Sequence, residues 1–277
     1  MVTRRRLTGA ALACALAGPV AGWAGQASAA LPAVDMEAVV KAAQIDPRRA
    51  DSAITPGSRD SVLLVESALQ AKGLLAASYV DGHFGTKTID AYAAWQRSLG
   101  YTGLDATGLP GPTSLAKLGE QRFTVVRPLS PGAEVTFRGV PMNARTKAML
   151  LEAERLLGRQ FAVTQGSYSP GEDPTSAGTH DGGGALDLAV DGLTSTQRTS
   201  AVRRLRQVGF AAWLRTPSQG NWPYHVHAIA LADTDLSTPA RNQAGDYYLG
   251  LNGLANRGPD DGPVVDPKVT WEQYQRA

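Results

Sequence analysis

Apolar residues change their spacing several times along the chain, and each change predicts an element. From residue 61, "SVLLVESALQAKGLL" sets Val62, Leu63, Val65, Leu69 and Leu74 at helical intervals and reaches Gly73 near its end, the pattern of an amphipathic helix. "DGHFGTKT" then reads as a loop, "KTIDAYAAWQRSLG" as a second helix closed by Gly100, and "GPTSLAKLG" as a third with Thr113 as N-cap. A helical lead-in, "MEAVVKAAQI", precedes them within residues 30–57. Residues 120–140, with Pro128, Pro131 and Gly132, read as a linker holding one short strand, "EVTF".

Beyond residue 141 helical and alternating patterns interleave. "ARTKAMLLEAERLL" is a helix between Asn143 as N-cap and Gly158 as stop, and "STQRTSAVRRLRQV" is another ended by Gly209. Around them "FAVTQG", "ALDLAV", "FAAWLR" and "YHVHAIAL" read as strands, and "TPARNQAGDYYLG" as a late helix. The prediction is an α+β chain: a small three-helix domain over residues 58–119, then a mainly antiparallel sheet with flanking helices over residues 141–255. Arg198, Arg203, Arg204 and Arg206 read as one solvated helix face, and residues 256–277 as a tail that is weakly ordered or draped on the surface.

Composition changes the picture at the N-terminal end. Arg4, Arg5 and Arg6 precede an apolar run and the small residues "ASA", which predicts a secretory leader over residues 1–29. Removing it leaves 24 basic against 25 acidic residues, a net charge of −1. No basic excess then points to nucleic acid, and no later run approaches the roughly 18 apolar residues that span a bilayer. A monomeric mature protein, secreted to the exterior or the cell wall and not held in a membrane, is the expectation. Cys14 is the only cysteine and lies in the leader, so disulfides, thiolate ligands and a cysteine nucleophile are excluded from the mature chain.

The chemistry concentrates in "GTHDGGGALDLAV" and "YHVHAIAL". Gly182, Gly183 and Gly184 allow a sharp reversal between His180 and Asp187. His225 and His227 alternate along a strand and so share one face. Two neighbouring imidazoles are costly to bury without partners. Joined with His180 and Asp187 they form a His, Asp, His set plus one spare imidazole, which suits zinc with an open position for water. His83, in the loop before the second helix, reads as structural.

Two resemblances sharpen this. Residues 58–119, through Asp81, Gly82, Phe84, Gly85, Thr88, Ala91, Trp95 and Gln96, resemble the three-helix peptidoglycan-binding domain attached to many bacterial wall hydrolases. Phe84 and Trp95 are expected in its core, with Tyr79 and Tyr101 offered as wall contacts. Residues 141–232 resemble the zinc D-Ala-D-Ala peptidases, whose fold Hedgehog-type domains share, in the His, six residues, Asp, and later His-x-His pattern.

Carried over by position, the second resemblance implies His180, Asp187 and His227 as ligands of one zinc ion, with His225 beside the metal handling protons or the oxyanion. Tyr168 stands where relatives place an arginine, and Tyr224 where many place an acidic base. A tyrosine donates to an oxyanion but is a poor base at neutral pH. The base role therefore falls to His225, to Asp181, or to Glu172 or Asp173. The expected function is a secreted zinc peptidase that uses activated water to cut an amide bond in peptidoglycan stem or cross-link peptides. Its rivals are a wall-binding protein with a structural or degenerate zinc site, and an amidase cutting between muramic acid and the first alanine. "SLAK" at residues 114–117 lacks the Lys-Thr-Gly partner of penicillin-binding enzymes, and no HExxH, Gly-x-Ser-x-Gly or P-loop is present.

Overall fold

A computed structural model describes residues 30–50, 53–172 and 174–277. The leader expected over residues 1–29, with Cys14, and the base candidate Asp173 lie outside the described residues. Strand β1 (Ala33–Asp35) runs into helix α1 (Met36–Ile45), where the Asp35 carboxylate accepts from the backbone N–H groups of Glu37 and Ala38. Helices α2 (Arg59–Ala71), α3 (Thr86–Ser98) and α4 (Pro112–Leu118) follow. α4 is capped by Gly111, not by the expected Thr113. Proline's fixed φ and missing N–H suit the first helical position, and the Ser114 hydroxyl reaches back to accept from Gly111 N at 3.2 Å.

The loop between α2 and α3 is organised by one buried carboxylate. Glu66 accepts from Asp81 N at 3.0 Å, Gly82 N at 2.8 Å and Thr88 Oγ1 at 3.0 Å. Phe84 and Trp95 are buried, as expected, while Tyr79 is exposed.

Strand β2 (Thr124–Val126) pairs in parallel with β1, so part of the presumed linker is pinned to the entry of the chain. A hairpin of β3 (Glu134–Phe137) and β4 (Val140–Asn143) delivers helix α5 (Ala144–Leu157), whose N-cap Asn143 accepts from Thr146 N. α5 stops at Gly158 in the left-handed region (φ 70°), as its sequence predicts. The remaining elements are β5 (Val163–Gln165), β6 (Ala185–Ala189), α6 (Ser195–Gln207), β7 (Phe210–Arg215), β8 (His225–Ala230), α7 (Thr238–Tyr248) and α8 (Trp271–Arg276). The four strands β5, β6, β8 and β7, in that order, form an antiparallel sheet, and the architecture is α+β.

Alternation divides this sheet between two cores. Leu186, Leu188, Phe210, Ala212, Val226 and Ala228 pack into the core that includes Met149 and Leu150 of α5 and Val202 and Leu205 of α6. Ala185, Ala211, Trp213 and Ile229 enter the other core with Ala240, Ala244 and Tyr247 of α7. That second core continues without a break into Met36 and Val40 of α1, Val62 and Leu69 of α2, and Leu115 of α4. The N-terminal helices and the sheet therefore share apolar packing.

Two expectations fail on packing. Arg206 is not on a solvated face: it is 2% exposed and donates to Ala212 O, Pro263 O and Asp260 Oδ1. The tail is not weakly ordered but held on the surface, because Trp271 and Tyr274 pack on the α5 and α6 core and Glu272 pairs with buried Arg145. Arg276 closes the tail onto Glu37 of α1. Among the described residues no helix is long and apolar enough to cross a membrane.

Candidate metal centre

The register of the sheet sets the site. Asp187 on β6 lies directly opposite His227 on β8, and His227 directly opposite Trp213 on β7. One step along, His225 faces Ala189 on one side and Arg215 on the other. Directly paired residues share a face, so Asp187, His225, His227 and Arg215 converge on the same side of the sheet. His180 arrives from the preceding loop, which is tied back by Tyr168 N to Gly182 O (2.9 Å) and Ser169 N to His180 O (3.1 Å).

The glycines serve this loop for two different reasons. Gly184 holds φ +79°, whereas at Gly182 a Cβ would stand 2.3 Å from Asp235 O. Close backbone approach, more than conformational freedom, makes Gly182 necessary.

Hydrogen bonds define where the lone pairs point. His180 Nδ1 donates to Gly166 O at 2.7 Å, which leaves Nε2 bearing its lone pair, buried and without a hydrogen-bond partner. His227 lies between two acceptors, Gln243 Oε1 at 2.9 Å from Nε2 and Asp187 Oδ1 at 2.7 Å from Nδ1; in the tautomer that donates from Nε2 to Gln243, Nδ1 is the ligand atom on the Asp187 side. His180 Nε2 is 3.4 Å from the same oxygen. The ligand atoms of the three residues lie within 4.8 Å of one another. The group His180, Asp187 and His227 can hold a metal ion, and the partners of the outward ring nitrogens are of the kind that orient metal-binding imidazoles.

Burial alone would raise Asp187, but the flanking imidazoles of His227 and His180 outweigh it and hold the carboxylate well below its usual range. Burial lowers His227, against the opposing pull of the nearby carboxylate. An ionised carboxylate and neutral imidazoles are the protonation states that bind metal.

The group sits in a cleft of about 680 Å³ that also holds His225, Arg215, Gln243, Trp222 and Tyr224. His225 donates from Nδ1 to Pro223 O, and its Nε2 lies 3.8 Å from Asp187 Oδ2, beside the group and outside it. Tyr224 is exposed at the cleft, with the Arg198 guanidinium 4.3 Å over its ring. Tyr168 and Asp181 are not among the cleft residues, and this corrects the expectation that placed them there. Tyr168 turns the other way, with φ 54°, and donates to Asp235 Oδ2 at 2.7 Å in a separate hollow. Asp181 packs its carboxylate against Gly178. Glu172 is exposed and outside the cleft.

Sequence reasoning missed Gln243 and Arg215. Arg215 is 4% exposed, donates through Nη1 to Asn252 O at 2.8 Å, and leaves Nη2 buried without a hydrogen-bond partner. Burial pushes its guanidinium down to about 10. No carboxylate within ion-pair distance balances it among the described residues, although it lines the cleft. The only prior signal was the arginine ending an apolar strand; its meeting with His225 required the strand order.

Comparison of the chain with protein-family models, with curated proteins and with solved structures finds no match.

Proposed function

We propose that the protein is a zinc-dependent hydrolase acting outside the cell on an amide bond of peptidoglycan stem or cross-link peptides, with its N-terminal helices as the wall-binding part. The observation that carries the metal chemistry is the convergence of His180 Nε2, Asp187 Oδ1 and His227 Nδ1. Two imidazoles and one carboxylate match the ligand set of catalytic zinc, which leaves a coordination position open. A closed structural site would need a fourth ligand, and His225 stands outside the group. The wall as target rests on the two sequence resemblances.

A bound zinc ion supplies Lewis acidity toward a carbonyl and acidifies water. The residues supply the rest. His225, with Nδ1 committed to Pro223 O, presents Nε2 as the atom that takes up or returns a proton. The guanidinium of Arg215, which lines the cleft, donates toward negative charge on the substrate, at a carboxylate or a developing oxyanion. Tyr224 and Trp222 wall the cleft.

The test is digestion of purified peptidoglycan and soluble stem peptides by the zinc-loaded protein, with products read by mass. Cleavage within the peptide is expected, lost by at least about a thousandfold in His180→Ala and Asp187→Ala together with metal binding, while circular dichroism is unchanged. A cut between muramic acid and alanine would convert the reading to an amidase. Zinc-loaded protein that leaves every substrate intact would overturn it.

A further inference from the structure

A second hollow, of about 570 Å³, opens where the N-terminal helices meet the sheet-bearing part. Tyr101, Leu104 and Asp105 line it from the helical side, and Tyr168, Thr234 and Asp235 from the other. Its volume is in the range of about 300–1,000 Å³ that small ligands occupy, and such sites favour the junctions between domains.

The lining specifies a chemistry. It contains no lysine, arginine or histidine, so nothing in it balances an anionic ligand. Thr234 is 91% buried, from 9% exposure, and its Oγ1 has no hydrogen-bond partner. A buried hydroxyl in that state calls for a partner. Asp235 accepts from Tyr168 Oη, and burial together with the neighbouring Asp233 pushes it up to about 6. A ligand hydroxyl suits either form of Asp235, since it donates to a carboxylate and accepts from a carboxylic acid, whereas an ammonium only donates. Leu104, 42% exposed, and the half-buried ring of Tyr101 add apolar surface for C–H faces.

We propose that this hollow binds a neutral sugar chain, the glycan strand of the wall polymer, at the seam between the two parts of the protein. The choice of glycan rests on the wall-acting reading above; the absence of any basic residue from the lining, which disfavours an anionic ligand, does not. The backbone at Gly182 lines the hollow and belongs to the loop that carries His180. A glycan seated there contacts the reverse side of the metal loop.

The experiment is calorimetric titration of the purified whole protein with a neutral N-acetylglucosamine tetrasaccharide that carries no peptide. Saturable binding is expected, weakened by about tenfold or more in Thr234→Val and in Tyr101→Ala. Melting temperature reports on folding, and hydrolysis of a soluble, sugar-free stem peptide stays unchanged in both variants. No binding by the wild type, equal binding by both folded variants, or preference for a lysine peptide over the sugar would overturn the proposal. Glycan binding without any peptide hydrolysis would defeat the peptidase reading and leave this one standing.

Discussion

Two imidazoles in the centre are oriented by groups that never touch the metal position. Gly166 O fixes the tautomer of His180, and Gln243 Oε1 faces Nε2 of His227. The second is the informative case, because a side chain can be changed where a backbone carbonyl cannot. Replacing Gln243 by Leu removes the acceptor from His227 Nε2 and frees the ring to place its proton on Nδ1, facing Asp187. Partners of this kind are worth about 10- to 100-fold in metal affinity. Gln243→Leu is therefore expected to lose zinc to a competing chelator at a concentration lower by that factor, with the fold retained. An unchanged chelator midpoint would show that His227 needs no such support.

At the scale of elements, the loop between α2 and α3 depends on Glu66. Burial is the largest influence on this carboxyl and raises it from 4.5 to about 7, against the opposing pull of its hydrogen bonds from Gly82, Thr88 and Asp81. A folded-state value above the unfolded one means that the folded protein holds the proton more tightly. The resulting stability is full below about pH 4.5 and is lost as pH rises through about 7. Glu66→Gln keeps an acceptor oxygen for the two backbone N–H groups and cannot ionise. Relative to wild type, it is expected to gain on the order of 1–3 kcal/mol between about pH 5 and about pH 8. Thermal melts of both proteins across that range check it; a difference that does not vary with pH would remove Glu66 as the cause. The sequence showed the loop and its glycines, but not that a glutamate on α2 would hold Asp81 and Gly82, because that contact spans fifteen or more residues.

At the scale of the whole molecule, α1 binds the two parts into one. It packs against α2 and also against α7, where Gly245 comes so close that a Cβ would lie 2.1 Å from Gln44 O. Arg48 and Arg257 both donate to Asp246 on α7, and Arg276 reaches Glu37 on α1. With one apolar core running from α2 and α4 through α1 to α7 and the sheet, neither part can open without exposing the other. Calorimetry is expected to give one transition, with calorimetric and van't Hoff enthalpies equal within error. Two resolved transitions would mean that the helices and the sheet fold independently.

The sequence by itself determined the elements and the residue types of the group that can hold a metal ion. Spacing is a local property, so periods of 3.6 and 2 located α2, α3, α5, α6 and the four strands of the sheet, and His180, Asp187 and the alternating histidines already carried the chemistry of a metal group. Only the tertiary structure decided which residues join them. Tyr168 and Asp181 are near in sequence and turn away, while Arg215 and Gln243 are distant and turn in. Strand order and the packing of α7 over one face of the sheet set those neighbours. Both depend on contacts between residues far apart in the chain, which no local pattern encodes.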